Sequence, residues 1–271
     1  MKLFIHNKKR VLRRIIVEQL NIIVNESEIK EMGFIKRLIN IIFEPRQVFD
    51  SIKVKSSVWV QVIFVIVCLV LLIIPKAPLA EQYSRQSIEK LYHSEKFLKT
   101  QQMSQDGANA LIESQMKISK PFIFLGAIFG PLILLLISAG VFHGIFKLLR
   151  GGGSFSQTFS VVLYSYFINI IGEGVRTINV LLSGNYEATN SLGLLMSSDK
   201  TNFLFNFLNS LDVFAIWSIS ITAFGLSIVH NVLKKKSYVW VLSIWGGAMV
   251  LYAVYITIQM SALYKQYGIT L

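Results

Sequence analysis

Three ionisable residues lie within or against long apolar stretches: Glu173 and Arg176 in FINIIGEGVRTINVLL, and Asp212 in NSLDVFAIW. A charge at membrane depth is costly, so it is paired, faces a cavity, or serves ion and proton movement. Those three residue types offer two chemistries. They could form an ion pair that locks two helices together, or a polar site that a substrate or ion crosses. Glu173 and Arg176 are three residues apart, so they share one helical face. The expected arrangement is Arg176 paired with either Asp212 or Glu173.

Other candidates offer less. His143 and His230 have no second ligand type at a helical step of three or four residues, so a metal site is not expected. The glycine run in LLRGGGSF, at Leu148–Phe155, lacks the preceding strand and the Gly-Lys-Ser/Thr ending of a phosphate cradle, and reads as a flexible turn between helices. No HExxH or GxSxG motif occurs, and the single cysteine, Cys68, cannot form an internal disulfide. The chain is therefore expected to be non-enzymatic and to need no cofactor.

The elements that must carry these charges are membrane helices. Only 15% of residues are charged, against ~25% in an ordinary soluble domain, and 53% are hydrophobic. Five apolar stretches are long enough to cross a ~30 Å hydrocarbon core: 58–74, 122–149, 159–182, 213–233 and 238–263. Lipid cannot satisfy open backbone groups, so these runs must be helices. The fold class is all-α, a polytopic membrane protein with five transmembrane helices. Of the Lys and Arg residues, 17 fall on the side of the N-terminus and 10 on the opposite side. By the positive-inside rule the N-terminus is cytoplasmic and the C-terminus extracytoplasmic. Counting along the helices places both Arg176 and Asp212 about 30 Å from the inner surface, near the outer boundary. The pairs Gly126/Gly130 and Gly140/Gly144 have the spacing that permits close helix contact, which puts the second span at the centre of the bundle.

The polar segments divide into three. Residues 1–32 form a basic amphipathic segment, with Lys8, Lys9, Arg10, Arg13 and Arg14 beside an apolar face, suited to anionic headgroups. The membrane domain, 33–265, opens with a second amphipathic stretch whose Phe34, Leu38, Ile41, Ile42, Val48, Phe49 and Ile52 recur at helical steps. Pro45 fits a first helical turn, so one helix ends near Glu44 and another begins there. This stretch reads as interfacial helices lying on the bilayer. The outside loop 76–120 reads as a helical hairpin reversing at SQDG, Ser104–Gly107. The net charge of +12 is accounted for by topology and anionic lipid, and no nucleic-acid module is expected.

Four stretches together resemble the Ypt-interacting protein (Yip) domain family, in its bacterial-type branch. They are FIKRLINIIFEPRQVFDSIK at Phe34–Lys53, GPLILLLISAGVFHGIFKLLRGGGSFSQTFSVVLYSY at Gly130–Tyr166, LNSLDVFAIWSISITAFGLSIV at Leu208–Val229, and SYVWVLSIWGGAMVLY at Ser237–Tyr252. Pro45 and Phe49 match the Pro and following aromatic of the family's opening segment. Asp212, Phe214 and Trp217 match its Asp-x-Phe-x-x-Trp pattern. Glu173 and Arg176 depart from the usual third span by their polarity. The resemblance implies five spans with an inside N-terminus and no catalytic residues. Eukaryotic relatives bind Rab-type GTPases in vesicle traffic, and some bacterial relatives are accessory proteins beside ABC-type exporters. It thus implies a membrane adaptor with a membrane-protein partner or a homo-oligomeric state. A small transporter or channel using Glu173, Arg176 and Asp212 is the competing expectation.

Overall fold

The computed structural model of the chain describes residues 32–267. The basic amphipathic segment expected at the N-terminus lies outside the described residues. Among the described residues there are ten α-helices: α1 (Phe34–Phe43), α2 (Pro45–Val54), α3 (Trp59–Ile73), α4 (Ala77–Tyr92), α5 (Glu95–Thr100), α6 (Gln105–Leu148), α7 (Phe155–Ser183), α8 (Phe203–Asn209), α9 (Val213–Val229) and α10 (Lys234–Tyr267). Among the same residues the only β pairing is an isolated bridge between Ser191 and Asp212.

Four helical rods of the described residues are long and apolar enough to cross a membrane: Trp59–Tyr92, Gln105–Leu148, Phe155–Ser183 and Lys234–Tyr267. The fifth apolar helix, α9, has 17 residues and falls short of the other four. Large apolar side chains cover the outside of the bundle, including Trp59, Ile63 and Leu71 on α3, Phe122 and Leu134 on α6, and Leu251 and Ile258 on α10. A water-soluble protein does not tolerate apolar exposure of this extent, whereas a bilayer matches it.

Three expectations change on contact with the structure. The first expected span does not stop at Ile74: a single 3₁₀ turn, Ile74–Lys76, hands α3 directly to α4. The second begins 17 residues before its apolar run, because α6 starts at Gln105. The segment expected as an outside loop is therefore a stalk made by two helices that run on past their apolar stretches. Its reversal lies around α5, where Gln102 takes a positive φ of 49°. Ser104 is instead the cap of α6, its Oγ accepting from Gly107 N–H at 3.2 Å. Salt bridges Arg85–Glu113 at 2.5 Å and Lys120–Glu81 at 2.8 Å tie the two arms of the stalk.

The second change concerns α1 and α2. Their apolar face does not rest on lipid. Ile41, Val48, Phe49 and Ile52 are fully enclosed by protein, packed against α7 and α9. A stripe facing acyl chains and a stripe facing a helical bundle carry the same residues, so periodicity alone does not separate them. On α1 the opposite side, with Ile35, Ile39 and Phe43, stays exposed.

The third change moves the centre. Gly126, Gly130, Gly140 and Gly144 have nothing within 4 Å of where a Cβ would stand, so the second span is peripheral. The middle belongs to α9, held by α7, α10 and α2. Small residues let it approach its neighbours, and hydroxyls bond across: Ser218 Oγ donates to the Ser165 carbonyl at 2.9 Å, and Ser237 Oγ to the Ala223 carbonyl at 2.5 Å. At Gly225 the Phe49 ring comes so close that a Cβ would meet it at 2.6 Å. Gly225→Ala should thus cost about 1–3 kcal/mol through overpacking. Thermal unfolding in detergent should show that loss, and adding Phe49→Leu should recover part of it; an unchanged Gly225→Ala protein would contradict the packing.

Candidate functional site

Lys76 is the first charge after the apolar run of α3, and Pro75 sets it in the 3₁₀ turn that joins α3 to α4. That turn leans on α7, and Lys76 is only 5% exposed. A buried ammonium must find a carboxylate. Lys76 Nζ donates to Glu173 Oε1, the carboxylate one turn before Arg176 on α7. The same oxygen accepts from Arg176 Nη1 at 3.3 Å. One carboxylate thus serves two cations from two directions.

Arg176 directs its other donors to the connector between α7 and α8. Its Nε donates to the Ala188 carbonyl at 2.9 Å and its Nη2 to the Tyr186 carbonyl at 3.1 Å, with Cζ 5.7 Å from the centre of the Tyr186 ring. Asn190 Nδ2 adds a bond to the Gly172 carbonyl at 2.9 Å. Of the two partners expected for Arg176, the structure provides Glu173. Asp212 is engaged elsewhere. As the N-cap of α9, its Oδ1 accepts from Ala215 N–H at 2.7 Å. A carboxylate there also meets the positive end of the helix dipole.

These side chains converge on a cavity of about 480 Å³, lined by Lys76, Glu173, Arg176 and Asp212 and by residues of α3, α4, α6 and α7. Its polar end holds Tyr166, Asn169 and Asn209; its other wall is apolar, with Leu69, Leu72, Ile123, Phe124 and Ala127. Volume and mixed lining fall within the range of small-molecule sites. The cavity lies where the apolar runs of three helices give way to charge, at Ile73/Lys76, Lys120/Phe122 and Asn169/Glu173. Of the residues singled out in the sequence, Glu173, Arg176 and Asp212 meet here. Pro45, Phe49 and Trp217 do not line it. Pro45 opens α2, Phe49 packs at Gly225, and Trp217 stands 38% exposed on α9. Lys76 escapes sequence reasoning, and its one signal is being the first charge past an apolar run.

At the far end of the bundle, Thr158 Oγ1 lies 3.1 Å from His143 Nδ1 and 2.8 Å from His230 Nε2. Because the Thr158 hydroxyl donates to the Ser154 carbonyl at 3.0 Å, both imidazoles must donate to it. The glycine turn packs onto this group rather than hanging free. A Cβ on Gly151 would meet His230 and the Phe146 carbonyl at 2.8 Å, and one on Gly153 would meet Val229 at 2.9 Å. The absence of side chains there is what lets α6 return to α7 beside His230. Among the described residues no group of three His, Cys, Asp or Glu could hold a metal ion.

A model of the Yip1 domain matches residues 39–256, most of the chain. Its boundaries run from the middle of α1 into α10 and include the cavity and all of α2. The chain belongs to the Yip1 domain family. It is similar to the membrane protein YknW of Bacillus subtilis (strain 168), 23% identical over 212 residues that cover 77% of this chain and 85% of that protein. No solved structure matches the chain.

Beside the cavity, a second polar cluster fastens the stalk. Lys200 Nζ donates to Glu187 Oε1 and to the Tyr83 hydroxyl at 2.7 Å, and Tyr83 donates to Glu187 Oε1 at 2.7 Å. Burial opposes the charge on Glu187, but the hydrogen bonds from Lys200 and Tyr83 and the Lys200 charge outweigh it and hold the carboxyl below its usual value. Burial likewise opposes the charge on Lys200, and its bonds to Glu187 and Tyr83 prevail, leaving it raised. A depressed carboxylate contributes stability above its unfolded pKa of 4.5 and loses it as the pH falls through the folded value. A raised lysine contributes stability below 10.5 and loses it as the pH rises through its folded value. The latch should therefore hold at neutral pH and weaken below about pH 4.5. Melting curves should fall less steeply on acidification for Glu187→Gln than for the parent; identical acid limbs would contradict the assignment.

Proposed function

We propose that this protein is a non-enzymatic integral membrane accessory protein that assembles with another membrane complex. Five spans, α9 included, put the N-terminus in the cytoplasm and the C-terminus outside, in line with the surplus of Lys and Arg on the N-terminal side. The observation that carries the reading is the stalk. With 44 residues, α6 is about 66 Å long, more than twice the ~30 Å hydrocarbon core. α4 runs beside it, so a rigid helical pair stands outside the membrane in reach of a neighbouring protein. The resemblance to a family in which some bacterial members are accessory proteins beside ABC-type exporters suggests an exporter as the partner class. The cytoplasmic face supplies a second contact in the exposed Ile35, Ile39 and Phe43.

A second reading, a small transporter, is favoured by one observation: Glu173, Arg176 and Asp212 all line the cavity. Each guanidinium nitrogen of Arg176 donates a hydrogen bond, which favours a structural role for it over a moving one. The two readings separate by experiment. Affinity purification of the full chain in mild detergent should bring down a stoichiometric membrane protein. Replacing residues 88–111 with a short Gly-Ser linker, which keeps Arg85 and Glu113, should abolish that capture. A partner-free protein that moves solute or ions across liposomes would overturn the accessory reading.

A further inference from the structure

We propose that the cavity at the base of the stalk binds an anionic membrane phospholipid, its phosphate at Lys76 and one acyl chain along the wall formed by α3 and α6. Charge and donors come first. Lys76 is nearly enclosed, yet its ammonium has three N–H groups and one partner, Glu173. Glu173 is shared with Arg176, so this quarter of the cavity holds two cations against one carboxylate. Asp212 brings the lining as a whole to formal charge balance, but its Oδ1 is bonded to the Ala215 N–H at the start of α9, and it makes no hydrogen bond to Lys76 or Arg176. The remaining lining pair, Lys120 and Glu81, neutralises itself. The two free donors of an enclosed ammonium, set beside a second cation, ask for an anionic acceptor.

The walls then select an amphiphile over a free anion. Leu69, Leu72, Ile123 and Ala127 line the cavity, and Phe122 and Leu125 beside them on α6 are 69% and 51% exposed to the lipid side of the bundle. Apolar side chains thus run on from the exposed surface of α6 to the cavity wall. The level is also that of headgroups, since each lining helix turns from apolar to charged there. A protein segment as occupant would have to enter through those lipid-facing side chains.

The test uses the full-length protein in non-ionic detergent, with bound lipid counted by native mass spectrometry and thermal shift as a second readout. Phosphatidylglycerol should be retained and raise the melting temperature, with phosphatidylcholine at least tenfold weaker. Lys76→Met should lose at least tenfold in phosphatidylglycerol retention. Ala127→Phe, which fills the apolar wall and leaves every charge in place, should lose it too, and decides the matter if Lys76→Met does not fold. Equal retention of both lipids, or undiminished retention by folded Ala127→Phe, would overturn the proposal. Displacement of phosphatidylglycerol by soluble glycerol phosphate at comparable concentration would also overturn it, reducing the site to one for free anions.

Discussion

A single carboxylate, Glu173, accepts hydrogen bonds from two cations, and the stalk end of the molecule is arranged around it. Lys76 reaches it from the α3–α4 junction. Arg176 reaches it from α7 and at the same time holds the connector by the Tyr186 and Ala188 carbonyls. Removing a buried partner leaves an uncompensated charge, which is far costlier than losing a surface pair. The junction, the third span and the connector therefore stay together or come apart together. The Tyr83–Glu187–Lys200 latch extends the same tie to the stalk, in a more exposed setting where each bond contributes less.

Between the helices of the bundle the constraint is steric. In lipid there is no hydrophobic gain from pairing helices, so association depends on close contact and on bonds between polar groups. Gly225 admits Phe49, Gly172 admits Phe214, and Gly151 admits His230. Each is a site where one aromatic ring enters because another residue has no side chain. The result is a short central helix, α9, that is mostly enclosed by protein and needs little lipid-facing surface of its own.

Much of this was legible in the sequence. The apolar runs marked the membrane helices, Pro45 marked the break between α1 and α2, and four stretches carried the family resemblance now matched over residues 39–256. What hydropathy does not register is helix that continues past an apolar run, so α4 and the first part of α6 read as a separate helical hairpin and not as extensions of the two spans. Nor does it tell which surface an apolar stripe meets, so α1 and α2 read as lying on lipid. Glycine spacing shows that close approach is allowed, not that a partner is there, as Gly126 and Gly130 illustrate. Of the site, Glu173, Arg176 and Asp212 stood out as charges among apolar residues. Lys76 did not, because a lysine after a proline at the end of a span is ordinary until the turn is seen folded against α7.

The most direct test of the central claim is a double-mutant cycle on Lys76 and Glu173, measured by unfolding in detergent. Glu173→Gln, which leaves the enclosed Lys76 ammonium without its carboxylate, should destabilise by about 3–5 kcal/mol, and Lys76→Met, which leaves a part-exposed Glu173 still bonded to Arg176, should destabilise less. The double variant should lose less than the two singles added, with a coupling of at least about 1–2 kcal/mol. Additive losses would mean that the two residues do not depend on each other, and the account of the stalk end built on Glu173 would be wrong.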